Sequence, residues 1–366
     1  MFGQPLDVLL SPLPDQDNPS IRERLPTETA SADDKEMLVV AAQRARKFAL
    51  ESSHSNLTSE TMDQLYDDVA ILAVAYQRQP LSTLLGQLVQ TQDAVFNLLE
   101  GRQPPSATRQ LLLLGSVTSG LLAEVSHDLA DPHAALTHSR TAFLCADNAD
   151  HDGMRAWIRG LQSLIAYWAG RYNDSVRYAQ MGAAHAQSST MSVWLPVSEA
   201  RAWAALGNVT KALAAIRHAE DARNAVEFDD IDELGGFCTF SRTRQLYYVA
   251  DALAWLPSEA RTAEEYSLQA VSAYADPSSP DWAFGDAAGS SCNLAVARIG
   301  RSEIAGAEEA LEPVLALPPD QRINGIVLSV NRVHRALSVV PPSNATQELQ
   351  ERIEMFTANP ITALRN

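Results

Sequence analysis

The feature that most narrows what this chain can fold into is a pair of small residues, five positions apart, at the head of successive apolar helical stretches. Ala130 and Ala135 stand so in DLADPHAAL, Gly170 and Ser175 in WAGRYNDSV, and Gly207 and Ala212 in ALGNVTKAL. Ser258 and Ala263 follow in LPSEARTAEEY, and Ser302 and Ala307 in RSEIAGAEEAL. The steps between units are 40, 37, 51 and 44 residues. One match alone is weak, but five in register mean a chain built by stacking one helix pair on the next. The first small residue is expected to let the turn pass close to its neighbour. The second, one turn into the next helix, is expected to let the two axes approach. Trp168, Tyr172, Trp203, Leu206 and Trp255 stand where they can fill the space around that contact.

These steps exceed the ~34 residues of a tetratricopeptide (TPR) unit, which points to TPR-like units with longer helices or loops. The expected fold is all-α: a TPR-like helical-repeat solenoid of antiparallel helix pairs in a right-handed superhelix. A composition led by Ala and Leu, with few β-branched runs, agrees. Residues 1–34 read as a linker rich in Pro, Asp, Ser and Thr, with an apolar piece at 1–10. Residues 35–102 read as an N-terminal helical section, 103–358 as the repeat array and 359–366 as a tail. In the first section Met37, Val40, Ala41, Ala45 and Phe48 mark one helix. A second runs from about Thr58 to Gln77, with Leu65, Val69, Leu72 and Tyr76 on one stripe. Pro80 opens a third, and Gly101 with Pro104 and Pro105 ends it. The 51-residue step comes from an insertion at 226–242, which carries Asp229, Asp230, Asp232, Glu233, Gly235, Gly236, Phe237 and Phe240. Long insertions in solenoids often map to the binding face.

Charge excludes some partners. The formal charge is −17, with 28 basic residues against 45 acidic ones, so the chain is not expected to contact nucleic acid directly. No stretch is long and apolar enough to suggest a membrane partner, and the expected location is cytoplasmic. Cys145, Cys238 and Cys292 are odd in number and share no metal or redox spacing, so they read as reduced thiols. No phosphate loop, G-x-S-x-G or H-E-x-x-H motif is present, and no cofactor or metal is expected. His133 and His138 fall on different helix faces, while His151, His185 and His218 are isolated. The Asp229–Glu233 acids lack the calcium-loop pattern and read first as a solvated loop that caps the next helix.

Polar and aromatic side chains on otherwise apolar helices are the candidates for a ligand-binding groove. RAWIRGLQSLIAYW carries Arg155, Trp157, Arg159 and Gln162, and the following helices add Trp194 and Glu199. SRTRQLYY carries Arg242, Arg244, Gln245, Tyr247 and Tyr248. DAAGSSCNLAVAR adds Asp286, Ser290 and Asn293, and NRVHRAL adds Asn331 and His334. The opposing reading makes the arginines bridges between repeats and the aromatics core. If the chain is an enzyme, Tyr247, Asp286 and His334 are the acid–base candidates. The sequence offers no nucleophile–base pair, so its reading leans away from catalysis.

Several strings carry a family resemblance: VFNLLEGRQPP, SRTAFLCADNADHDGMRAWIRGLQSLIAYWAGR, FDDIDELGGFCTFSRTRQLYYVADALAWLP and VLALPPDQRINGI. Together they resemble the C-terminal TPR-like region of actinobacterial Xre-type helix-turn-helix regulators, over nearly the whole chain. In that family a DNA-reading domain precedes the linker, and here MFGQPLDVLL resembles only its tail. The resemblance implies an effector-sensing and oligomerisation module that holds a small-molecule or peptide ligand without its own DNA-binding domain. The apolar residues from Leu84 to Leu99 would suit a homodimer. Two other expectations stand beside it: an enzyme of natural-product biosynthesis evolved from a regulator scaffold, and a protein–protein interaction scaffold with an open groove.

Overall fold

The turns between helix pairs form where the small residues stand, but backbone conformation, not crowding, selects them. Gly170 and Gly207 have φ of +70° and +74°, with open space where a Cβ would sit. Ala130, Asp150 and Ser302 lie in the same left-handed region at φ 60°, 53° and 65°. Each heads a Schellman turn, in which the next amide bonds the carbonyl five residues back: Asp131 to Ser126, His151 to Ala146, Arg171 to Ala166, Asn208 to Trp203 and Glu303 to Arg298. Glycine adopts that conformation without the ~1–2 kcal/mol that a Cβ costs there. At Ser258 a 3-10 turn, Pro257–Glu259, takes the place of the motif. The second member of each pair behaves as expected: Ala135, Ser175, Ala212, Ala263 and Ala307 are fully buried.

The computed structural model describes residues 37–45 and 57–361. The chain divides into two units, Met1–His54 and Ser55–Asn366. In the first, the described part is one helix over residues 37–45; the expectations for 1–34, Phe48 and 362–366 lie outside the described residues. The second unit contains α1 (Ser59–Ala75), α2 (Leu81–Glu100), α3 (Pro105–Asp128), α4 (Pro132–Asn148), α5 (Asp152–Trp168), α6 (Tyr172–Ala183) and α7 (Met191–Ala205). It continues with α8 (Val209–Arg223), α9 (Arg242–Leu253), α10 (Ala260–Ala273), α11 (Phe284–Gly300), α12 (Ile304–Leu315), α13 (Asn324–Leu337) and α14 (Asn344–Thr357). There is no strand among the described residues, and among them no helix is long and apolar enough to cross a membrane.

Local chemistry sets the first boundaries. The Thr58 hydroxyl accepts from the Thr61 amide and caps α1, whose Leu65, Val69 and Leu72 face inward. Pro80 precedes α2 and Gly101 ends it. Both helices pack on α3 and belong to the same compact unit as the repeats. Leu84, Leu88 and Val95 are buried within the chain, which removes them as a free dimer face.

From α3 onward consecutive helices pack in pairs, and alternate helices form two layers. In the inner layer α3 packs on α5, α5 on α7, α7 on α9, α9 on α11 and α11 on α13. Helix α13 then touches α3, so the inner layer closes on itself instead of leaving an open groove. Two further contacts hold the closure. The Phe284 amide at the start of α11 donates to the Gln77 carbonyl after α1 (3.2 Å). The Arg78 guanidinium donates to the carbonyls of Pro277, Ser279 and Pro280.

The insertion turns inward. Phe237 sits edge-on to Tyr76, Trp157 and Trp194, and its carbonyl accepts from Trp157 Nε1 (3.2 Å). Gly236, at φ +53°, lies so close to α1 that a Cβ would stand 2.3 Å from the Ala73 carbonyl oxygen. Its acids organise the loop. Asp229 accepts from the amides of Ile231 and Asp232, and Asp232 accepts from the amide and hydroxyl of Thr190 at the head of α7. Asp230 lies 2.9 Å from His151.

Candidate functional site

Closure of the inner layer leaves a chamber of about 70 Å³ at its centre. Each inner helix, or the residues at its head, contributes to the wall: Glu124, His127 and Asp128 from α3, Leu164 and Trp168 from α5, Arg201 from α7. Arg244, Tyr247 and Tyr248 come from α9, Ala283 to Asp286 from the start of α11, and Ile323, Gly325 and Ile326 from the start of α13. Tyr76 and Gln77 after α1 and Phe237 of the insertion complete it. The half-buried members, Gln77, Trp168, Phe284, Gly285, Asp286 and Gly325, mark the rim, while Glu124, Asp128, Arg201 and Arg244 are buried.

Asp251 on α9, fully buried, anchors the cationic side. Its Oδ2 lies 2.7 Å from Arg201 Nε and accepts from the Tyr167 hydroxyl at 2.6 Å, while its Oδ1 lies 2.8 Å from Arg332 Nη2. Arg332 also contacts Asn293, and Tyr167 accepts from Trp255 Nε1. The Arg201 guanidinium stacks between the rings of Tyr167 and Tyr248, at 4.1 and 4.2 Å. Burial alone would raise Asp251, but the guanidiniums, Arg201 before Arg332, hold it below the ordinary carboxylate range.

The acidic side is built on the last turn of α3. Glu124 and Asp128 are one helical turn apart and share a face. The Tyr76 hydroxyl donates to Asp128. Burial first, and then the Asp128 charge, pushes Glu124 well above the usual carboxyl range. Burial pushes Asp128 up to about 7, against the Tyr76 hydrogen bond. Asp286, raised by burial, lies 3.3 Å from Arg244 Nε and accepts from Tyr274. Burial, followed by the Arg201 charge, lowers His127 to about 4, so it is neutral at ordinary pH.

Four of the wall's buried polar atoms make no hydrogen bond within the protein: Glu124 Oε2, His127 Nε2, Arg201 Nη2 and Arg244 Nε, the last with only its ion pair to Asp286. Unpartnered buried polar groups are rare in native folds, and each carries a desolvation penalty of ~1–3 kcal/mol. All of these atoms belong to residues that line one cavity.

Of the residues singled out in sequence, Arg244, Tyr247, Tyr248 and Asp286 meet in this chamber. The others lie elsewhere. Arg155 pairs with Asp147, Asp150 and Asp152 at the surface, and Arg159 covers Phe143 and bonds Gln162. Trp157 and Trp194 are core, riding over Gly120 and Gly160 where a Cβ would meet their rings. Glu199 accepts from Gln180 and Trp203, and Asn293 supports Arg332 behind the wall. Asn331 is half-buried outside the lining. His334 faces Glu354 at 3.2 Å on the outside of α13, away from Tyr247 and Asp286, so the three do not form one acid–base group. The sequence reading missed Tyr76, Glu124, His127, Asp128, Arg201, Asp251 and Arg332. A signal for the α3 set existed: Glu124, His127 and Asp128 are the acids and histidine of a long helix that is otherwise apolar or small from Leu111 onward. Cys145, Cys238 and Cys292 are buried free thiols, and among the described residues no three His, Cys, Asp or Glu side chains are placed to hold a metal ion. No protein-family model, curated protein or solved structure matches this chain.

Proposed function

We propose that this chain is the effector-binding module of a regulator, a TPR-like right-handed array whose inner face has closed around a small-molecule chamber. The observation that carries the reading is that Glu124, His127 and Arg201, which line that cavity, each have a buried polar atom without a hydrogen-bond partner. The resemblance to the C-terminal region of Xre-type regulators supports the regulatory half, with the cytoplasmic setting and self-association that the family implies. A chamber of about 70 Å³ is too small for an extended peptide and leaves room only for a very small molecule, which favours a sensor over a scaffold. Signalling would follow from differential affinity. The rim joins Gln77 to Phe284 across the closing seam, so a bound molecule favours the closed ring.

The test is a thermal-denaturation screen of small metabolites on the full chain and on Gly325→Leu, which fills the rim beside Trp168 without touching a charged group. A ligand at a hundred times its Kd stabilises by ~2.7 kcal/mol, which is about 5–10 °C for a domain of this class. The expected result is a ligand that shifts the wild type and not Gly325→Leu. A ligand that stabilises both equally sinks the chamber reading.

An enzyme is the second reading, favoured by the Glu124–Asp128 pair beside Tyr247 and Asp286. A carboxyl that stays protonated near neutral pH is a ready general acid. Mass spectrometry of the ligand recovered from the protein separates the two. Unchanged ligand supports the receptor; conversion that disappears in Asp128→Asn supports the enzyme.

A further inference from the structure

We infer that the chamber takes a small zwitterion of amino-acid size, its carboxylate on Arg201 and its ammonium on Glu124 and Asp128. This rests on the chamber being a ligand site, and it names the class of ligand.

The argument is one of charge left over. Asp251 is a single carboxylate serving both Arg201 and Arg332, so one positive charge in that cluster has no counter-charge. Arg201 lines the cavity, and the protein leaves its Nη2 without a hydrogen-bond partner. Arg244 and Asp286 pair with each other, and His127 is neutral, so neither changes the balance. What remains is the carboxyl pair of α3, with Asp128 held by Tyr76 and Glu124 Oε2 free. A purely anionic ligand would satisfy Arg201 and leave the α3 carboxyl pair, which shares a proton, without a cation. A purely cationic one would do the reverse. A molecule with both charges on adjacent carbons meets both, and in a low-dielectric cavity each unmet charge is costly.

Size and wall chemistry agree. The cavity has room for on the order of two or three waters beneath its half-buried rim, which suits only the smallest amino acids. Leu164, Phe237, Ile323 and Ile326 give it an apolar side that suits a short aliphatic side chain.

Binding then moves a proton. The groups facing the α3 pair are Tyr76 after α1, Arg201 on α7, Arg244 on α9, Asp286 at the head of α11 and His127 on α3 itself. Among these the pair keeps a proton at neutral pH because it is buried and mutually repelling. An ammonium placed beside it supplies the missing counter-charge, and the proton leaves to solvent.

Isothermal titration calorimetry of the full chain at pH 7, in two buffers of different ionisation enthalpy, tests this. The probes are glycine, L-alanine, L-proline and L-valine, each set against same-sized analogues: propionate and isobutyrate as anions, propylamine as the cation, propanamide as the neutral amide. At least one amino acid should bind, its single-charge analogues at least tenfold more weakly, with net proton release. In Glu124→Gln the preference for the amino acid over its carboxylate analogue should shrink and the proton release disappear. Because substituting Arg201 endangers folding, Gly325→Leu serves as the site control. If a single-charge analogue binds as well as the amino acid, and Gly325→Leu abolishes both, the zwitterion is overturned and the chamber reading stands. If an amino acid binds Gly325→Leu equally well, both are overturned. If no probe binds, the zwitterion is overturned, and the broader metabolite screen decides the chamber.

Discussion

Replacing Asp251 by Asn perturbs the one carboxylate on which the cationic side of the chamber depends. The substitution keeps shape and an acceptor for Tyr167, but it leaves Arg201 and Arg332 buried without a counter-charge. All three groups are nine-tenths buried or more, so no solvent discount applies. Removing one partner of a buried pair costs ~3–5 kcal/mol, mainly because the other charge is stranded. Against a typical total of ~5–15 kcal/mol this is a large loss, and at roughly 2 °C per kcal/mol it lowers Tm by about 6–10 °C. Urea denaturation followed by circular dichroism at pH 7 reads it directly, with an unchanged m-value showing that the transition is the same. Arg332→Met provides the contrast. It removes the surplus cation and leaves a matched Arg201–Asp251 pair, so its cost should stay within about 1–2 kcal/mol. Equal losses for the two variants, or a loss under about 1 kcal/mol for Asp251→Asn, would refute the two-cations-one-anion account. Acid should mimic the substitution. Asp251 is held below the ordinary carboxylate range, so its contribution is present above the unfolded value and is lost as pH falls through the lower folded-state value.

Asp128 behaves in the opposite sense. Its folded carboxyl keeps a proton up to about pH 7 while the unfolded one loses it near 3.8. The folded state therefore binds more protons in that window, and its stability falls as pH rises through it. Asp128→Asn should accordingly gain on the wild type between pH 5 and pH 8 in denaturation series; parallel curves would rule out a raised carboxyl. Gly236→Ala should cost about 2–4 kcal/mol, combining a left-handed φ with a clash against the Ala73 carbonyl. A loss under about 1 kcal/mol would mean that the insertion does not lie against α1. Arg78→Ala removes the donors to the carbonyls of Pro277, Ser279 and Pro280, and should speed hydrogen exchange at the Phe284 amide while α7 and α9 stay protected. Unchanged exchange at Phe284 would show that the seam does not depend on Arg78.

What the sequence made legible was local. The paired small residues marked the turns because a Schellman turn is encoded within six residues, and Thr58, Pro80 and Gly101 marked helix ends by the same kind of short-range chemistry. The all-helical, pairwise packing followed from that pattern. The chamber did not, because its bonds span long separations: Arg201 to Asp251 is 50 residues, Tyr76 to Asp128 is 52, Tyr167 to Asp251 is 84. Helical periodicity tells which residues share a face, not which faces meet. It could place Arg244, Tyr247 and Tyr248 on one helix and Asp286 on another. It could not show that α13 returns to α3, and that closure turns an expected groove into a chamber.

The same closure raises the question of why so many charges sit inside. Buried ion pairs are seldom worth their desolvation, and an apolar lining of equal volume would hold the inner layer as well or better. Stability therefore does not account for Glu124, Asp128, Arg201 and Arg244 in one wall, three of them fully or almost fully buried beside an unpartnered atom. A site explains what stability does not: charge arranged in advance binds a complementary ligand without reorganising. The placement of the seam adds to this. Gln77 and Phe284 form part of the rim and are joined there by one backbone hydrogen bond, so an occupant touches both sides of the contact that closes the ring. On the proposed function, a ligand that relieves the unmatched charges would favour the closed form, and its differential affinity would be the free energy available to hold the ring shut.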